Sequence, residues 1–410
     1  MSKRKMKDSG VEWLGEIPAE WDVRRGKTFL QLLSRPVKDD DDVVTCFRDG
    51  EVTLRKHRRE DGFTVALKEC GYQGVEPGDL VVHGMDGFAG SIGISDSRGK
   101  ASPVLNVLDT SEDKRYVMYY LRSLAMRDVF LALSTGIRVR SCDLRWSKLG
   151  DIQYLLPPLS TQRKIAAYLD TRCAKIDEMV SDAKKTIEEY KAWKASVIFE
   201  AVTGKMEVRR GRLREKSELG ESGVEWLGAV PEEWLVCCLK YLCSMQAGKT
   251  LSSEEILDEG PYPVYGGNGL RGFYSEFNTS GEYALIGRQG ALCGNVHFVD
   301  GQFWATEHAL VTTPSEKVEL PYLYWLLVAM DLNRYVSQTA AQPGLAASVI
   351  LNVKTVFPPL AEQRTIANFL DKKCAAIDRV ISEKESLIAD LEAYKKSLIF
   401  ECVTGKMEVA

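Results

Sequence analysis

One 52-residue segment occurs twice in this chain, and no other feature limits its fold so tightly. From Pro157 the chain reads PPLSTQRKIAAYLDTRCAKIDEMVSDAKKTIEEYKAWKASVIFEAVTGKMEV. From Pro358 it reads PPLAEQRTIANFLDKKCAAIDRVISEKESLIADLEAYKKSLIFECVTGKMEV. The offset is a constant 201 without a gap, so Gln363 follows Gln162 and Asp378 follows Asp177, and 28 of 52 positions are identical. A shorter repeat precedes each copy: SGVEWLGEIPAEW from Ser9 and SGVEWLGAVPEEW from Ser222. The material between these blocks differs almost entirely. Two equal frames around unlike contents imply two unlike modules mounted on one symmetric scaffold.

The longer repeat predicts a long helix. Apolar or small residues recur at Leu169, Cys173, Ile176, Val180, Ala183, Ile187, Tyr190 and Val197, interrupted by Lys194. The second copy gives Leu370, Cys374, Ile377, Ile381, Ile388, Leu391 and Leu398, interrupted by Lys384 and Lys395. A spacing that alternates four and three is the a/d seam of a coiled coil. About 40 residues at about 1.5 Å each span about 60 Å. Pro157-Pro158 and Pro358-Pro359 bar any earlier helix from running on, and Gly204 and Gly405 supply stops. Two matched helices in one chain favour mutual pairing about a pseudo-two-fold axis, which makes them antiparallel. A helix packed only on its own domain is the alternative.

The expected fold class is therefore α+β. Two α/β recognition domains are separated by two long helices that pair as an antiparallel coiled coil with pseudo-two-fold symmetry. The expected segments are a first variable domain over 1–158, a long helix over 159–205, a charged linker over 206–222, a second variable domain over 223–359, and a second long helix over 360–410. Arg209–Lys216 reads as a solvated tether. Asp79–His83 and Tyr283–Gly287 read as strands, and Tyr116–Leu133 and Pro321–Tyr335 as amphipathic helices.

No run of 18 apolar residues exists, which excludes a membrane-spanning helix. The ten cysteines are scattered, which suits a reducing cytoplasm. Cys237, Cys238 and Cys243 lack metal-ligand spacing and read as buried thiols. The net charge of −4 excludes a non-specific nucleic-acid binder but not a local basic face. From Arg24 to Lys148 there are 21 basic and 18 acidic residues, a balance of +3; from Leu235 to Val356 there are 7 and 11, a balance of −4.

No catalytic constellation assembles. The four histidines lack paired ligand spacing, and no nucleophile elbow or phosphate loop is present. Gly267–Gly272 matches GxGxxG, but Phe273–Phe277 does not open a helix, so a dinucleotide fold is disfavoured. With Tyr262, Tyr265 and Phe273 around it, the stretch reads as a binding loop carrying Asn268 and Arg271, side chains suited to adenine and guanine edges. A plain hairpin turn is the alternative. Contact candidates in the first variable region are Lys56, Arg58, Arg59, Arg138 and Arg140. Arg138 and Arg140 share one face of an extended stretch beside a glycine; a solvated edge strand is the competing reading. The matching stretch of the second region offers Gln338 and Gln342.

The frames SGVEWLGEIPAEW, LPPLSTQRKIAAYLD with FPPLAEQRTIANFLD, and IFEAVTGKMEV with IFECVTGKMEV resemble the specificity subunits of type I restriction-modification systems. So do STGIRVR, YPVYGGNGLRGF and LIGRQGALCGNV, the last of which adds Arg288 to the contact candidates. The resemblance covers essentially the whole chain. It implies a non-catalytic subunit in which each variable domain recognises half of a split target in double-stranded DNA. The helices would set the half-site spacing and dock two methyltransferase (modification) subunits, with Leu169, Ile176, Val180, Ile187, Leu370, Ile377, Ile381 and Ile388 as pairing and docking positions. No cofactor would be bound by this chain. Methyltransferase partners would bring S-adenosylmethionine, and restriction/translocase subunits ATP and Mg. Two other readings compete: a coiled-coil scaffold without nucleic-acid specificity, and a stand-alone DNA-modifying enzyme. The negative second domain departs from what phosphate contact would favour.

Overall fold

The structure is a computed structural model that describes residues 4–11, 14–58, 69–132, 144–290, 292–336 and 344–409. It divides into two compact units, residues 1–184 with 386–410, and residues 185–385.

The first unit is built on a four-stranded antiparallel sheet in the order Leu30–Leu32, Leu105–Thr110, Leu80–His83, Ile92–Ile94. Leu80, Val81 and Val82 are all buried, because both sheet faces are covered. Val81 and Val107 cluster with Val44, Cys46, Val52 and Val75. Leu80, Val82 and Leu108 cluster with Tyr116, Tyr120 and Leu124 of the helix Lys114–Met126. That helix starts where the Asp113 carboxylate accepts the Arg115 and Tyr116 amides at 3.1 and 3.0 Å, a strong N-cap. It is shorter than the stretch Tyr116–Leu133 read from the sequence. Asp128 takes a left-handed backbone (φ 57°) and breaks it before a short second helix, Val129–Ala132. The strand Gln153–Leu156 then pairs with Asp22–Arg25 and delivers the chain to Pro157.

The second unit repeats this plan. Its sheet runs Cys243–Ala247, Ala309–Pro314, Tyr283–Gly287, Val296–Val299, again antiparallel and in the same chain order. The strand Lys354–Phe357 pairs with Leu235–Cys238 before Pro358. The helix Leu320–Ala329 covers the sheet and is cut short at Asp331 (φ 46°), as its counterpart is at Asp128. Cys243 is buried, but Cys237 and Cys238 are only half-buried, because their strand has a single neighbour.

The long helices run Leu159–Val202 and Leu360–Val403. In the first unit Ile165, Leu169, Cys173 and Ile176 of the first helix share a core with Leu398, Ile399, Cys402 and Val403 of the second. Lys395 reaches Asp177 at 2.6 Å, and Cys173 lies beside Cys402, so the two segments run antiparallel. In the second unit Val197, Ile198 and Val202 share a core with Ile366, Leu370 and Cys374, and Lys194 reaches Asp378 at 2.7 Å. Lys194 and Lys395, which interrupt the apolar seam, thus each bond a carboxylate of the facing helix. Both pairs occupy equivalent positions of the repeat and report one register, a use of seam polarity that discriminates against slipped pairings.

Each long helix ends on the short repeated frame. Gly204 and Gly405 have φ of 74° and 71°. A Cβ at Gly204 would lie 2.5 Å from Pro231, and one at Gly405 would lie 2.5 Å from Pro18. Trp234 and Trp21 close the same contacts, which gives the repeated tryptophan its purpose. The charged segment after Gly204 is folded and is not a solvated tether. Met206–Glu207 pairs with Arg212–Leu213, and Arg212 takes Glu207 at 2.8 Å and both oxygens of Glu218 at 2.7 and 2.8 Å. The Arg212 guanidinium, with a backbone amide, holds the Glu218 carboxyl down to about 2. Carboxylates spaced to meet these arginines convert a charge run into a hairpin.

Candidate nucleic-acid interface

The two units differ in what they place over the free end of the common sheet. In the first, a hairpin of Val44–Cys46 and Val52–Leu54 stands beside the turn that follows Leu80–His83. Between them lies a cleft of about 790 Å³ walled by Phe47, Arg48, Asp49, Arg55, Arg58, His83 and Asp86, among others. Arg48 pairs with Asp86 at 3.0 Å, and Arg58 with Asp49 at 2.6 Å and Glu51 at 3.1 Å. The Arg58 guanidinium also lies 4.3 Å from the Phe47 ring centroid, a stacking arrangement that holds its plane. Lys56 pairs with Asp42 just outside the cleft. These carboxylates orient the two guanidiniums, and the Arg48 side chain is 64% exposed.

His83 sits at the cleft floor. Its Nδ1 accepts the Met85 and Asp86 amides at 3.2 and 2.9 Å, so the neutral ring carries its proton on Nε2. Burial lowers its pKa from the usual 6.5; Asp86 opposes the shift and Arg48 adds to it. The ring is a neutral donor at pH 7.

In the second unit the hairpin is Tyr262–Gly266 with Gly269–Tyr274, inside a second four-stranded sheet completed by Gln302–Ala305 and Thr279–Ser280. The GxGxxG stretch is therefore the turn of this hairpin, with Asn268 at its tip, together with the start of its second strand. The tip rests on the turn after Tyr283–Gly287, since a Cβ at Gly267 would come 2.7 Å from the Gln289 carbonyl. Asn268 accepts from the Asn295 amide at 3.4 Å. Arg288 is half-buried in that turn, and among the described residues its Nε has no hydrogen-bond partner. Arg271 is exposed, its Nη2 3.4 Å from the Ser253 hydroxyl. Asn268, Arg288 and Asn295 thus gather at one tip, with Arg271 on the adjoining strand.

Arg59, Arg138, Arg140, Gln338 and Gln342 lie outside the described residues. The chain that follows Arg138 and Arg140 in the first unit, and Gln338 and Gln342 in the second, is anchored alike. Leu144 donates its amide to Gly84 at 2.8 Å, and Leu345 donates to Arg288 at 2.9 Å. Both anchors are the turn that contributes to the sites just described. Arg48, His83 and Asp86 were not singled out from the sequence. Their signal was a cluster of polar residues at the end of an apolar strand, which is weak without knowing what stands opposite.

Of the helix positions, Leu169, Ile176, Ile187, Leu370 and Ile377 are buried, and Val180, Ile381 and Ile388 are half-buried. Trp193 and Tyr394, equivalent positions of the repeat, are instead 44% and 56% exposed. Among the described residues no helix is long and apolar enough to cross a membrane.

The fold defines a class of chain in which two unlike hairpin-bearing tips are mounted on one doubled frame. Residues 231–387 match the family model of the type I restriction modification DNA specificity domain. The specificity subunit of the Escherichia coli type I restriction enzyme EcoprrI is 43% identical over 135 residues, 32% of this chain and 33% of that protein. The Methanocaldococcus jannaschii MjaVIII specificity subunit is 24% identical over 341 residues, 76% of each chain. The match thus spans about a third of the first relative's length and about three-quarters of the second's. A chain solved in a study of complex assembly and conformational transition of the type I system shares the fold, with a TM-score of 0.71 at 13% identity over 95% of this chain and 99% of that one.

Proposed function

We propose that this chain is the sequence-reading subunit of a type I restriction-modification complex and has no catalytic role of its own. Each variable domain reads one half of a bipartite site in double-stranded DNA. Arg48 and Arg58, with Lys56 beside them, serve the first half-site; Asn268, Arg271 and Arg288 serve the second. Arginine forks suit guanine O6 and N7, and asparagine suits adenine N6 and N7. Two methyltransferase subunits dock on equivalent surfaces of the paired helices, where Trp193 and Tyr394 offer matched exposed rings of the kind that anchor interfaces. These partners supply S-adenosylmethionine chemistry, and restriction/translocase subunits supply ATP- and Mg-dependent cleavage, in the cytoplasm.

The observation that carries this reading is the contrast within the repeat. The sheet order, helix seam and frame contacts recur, while the hairpins over the sheet ends do not. Sequencing of methylated positions in cells carrying the chain with its methyltransferase subunits tests it. The expected result is one split site with two unlike halves and a fixed spacer. A contiguous site, methylation by the chain alone, or no selectivity would overturn it.

A further inference from the structure

Gln162 and Gln363 are fully buried and lie four residues beyond the Pro-Pro pairs. The Gln162 Nε2 donates to the Pro157 carbonyl at 2.8 Å and to Glu112 at 2.7 Å, and its Oε1 accepts the Asp113 amide at 3.0 Å. Gln363 donates to the Pro358 and Lys317 carbonyls at 2.9 and 3.2 Å, and accepts the Glu319 amide at 2.9 Å. Asp113 and Glu319 are the N-caps of the helices that cover the variable sheets. One amide therefore ties together the strand leaving the domain, the first turn of the long helix and the start of the domain helix.

A second tie follows eight residues on. Asp170 accepts from the Tyr119 hydroxyl at 2.9 Å and from Arg115 at 2.7 Å, and Asp371 accepts from the Trp325 indole at 2.7 Å. Eight residues are about two helical turns, or about 12 Å, so each domain helix is held alongside its long helix at two points. The second tie uses different side chains in the two domains. The glutamine binds the N-cap through a main-chain amide, which every residue but proline provides.

We propose that Gln162 and Gln363 are positioning residues: a socket that grips the N-cap of the domain helix through its main-chain amide, fixes the angle of the inserted domain on the scaffold and so sets how strictly half-site spacing is read. This rests on the bipartite-reading function above. An unmade bond here leaves buried polar groups unpaired and lets the domain helix pivot about the remaining contact at Asp170 or Asp371.

The test uses the full chain with its methyltransferase subunits and a plasmid library in which the spacer between the wild-type half-sites is varied. The wild type is expected to methylate one spacer length. Gln162→Leu and Gln363→Leu are each expected to keep both half-sites while discrimination against spacers one base pair longer or shorter falls at least ten-fold. Tyr119→Phe, which removes one hydroxyl and leaves the core filled, is expected to relax it by a smaller factor and covers the case in which a glutamine variant does not fold. Unchanged discrimination with both half-sites still read, or unchanged discrimination in Tyr119→Phe where the glutamine variants lose methylation at every spacer, would overturn the socket. A wild type that methylates without regard to a split site would instead sink the bipartite reading itself.

Discussion

The two variable domains share a sheet and differ at its end. The first closes over a cleft of arginines held by carboxylates, and the second closes with a hairpin tip of amides around one half-buried arginine. The charge balances of the two regions differ as well, +3 against −4. If both tips read DNA, as proposed, a net positive charge is not common to them; the way each domain helix is tied to its long helix is. Gln162 with Gln363, and Asp170 with Asp371, are identical in both units and sit where a domain meets a long helix.

Four measurements would break or sharpen this comparison. The largest effect is expected at the tips. Arg48→Ala or Arg58→Ala should weaken the first half-site about ten- to hundredfold, the range of one lost bidentate base contact. Asn268→Ala or Arg288→Ala should do the same for the second half-site alone. Competition binding with duplexes altered in one half resolves this, and equal loss at both halves would mean that the tips are not separate readers.

A smaller effect tests the scaffold. The Tyr116 hydroxyl lies 2.9 Å from the Leu155 carbonyl and 3.1 Å from that of Val403, joining a domain helix to the second long helix. Its counterpart Tyr322 is equally buried, yet its hydroxyl has no partner among the described residues. Tyr116→Phe should cost about 1 kcal/mol, and Tyr322→Phe should be neutral or stabilising. Urea unfolding of both variants checks the sign; equal losses would show that the two units are bonded alike.

Lys194→Ala and Lys395→Ala should each cost about 0.5 kcal/mol, alike in the two units and less at high salt, because both pairs are partly exposed. Double-mutant cycles with Asp378 and Asp177 measure the coupling, and clearly unequal values would break the equivalence of the two seams.

The smallest effect is a titration. His83 should titrate below 6.5 by NMR, and Arg48→Ala should raise its pKa, since that guanidinium helps to depress it. A histidine held neutral binds fewer protons folded than unfolded. Its contribution to stability is therefore present above 6.5 and lost as pH falls toward the lowered value. A pKa above 6.5 would place the ring in a wetter, more acidic setting than the one described.

The sequence alone determined the scaffold. A gapless repeat with a four-three apolar spacing admits few alternatives to paired helices, because a continuous stripe must be buried along its whole length. The stops at Gly204 and Gly405 and the strands Leu80–His83 and Tyr283–Gly287 were legible for the same local reasons. The breaks at Asp128 and Asp331 were not, since aspartate also sits within helices and only the fold demands a left-handed residue there. Lys194 and Lys395 looked like defects in the seam until the facing helix supplied their carboxylates. The two hairpin tips were the least legible part. Lys56, Arg58, Asn268, Arg271 and Arg288 could be named as polar loop residues. That Arg48, Asp86 and His83 share a cleft depends on a hairpin about 35 residues away in sequence folding over a strand end. Periodicity records which face of an element is buried. It does not record which polar groups from distant elements meet at its end, and tertiary structure alone decided that.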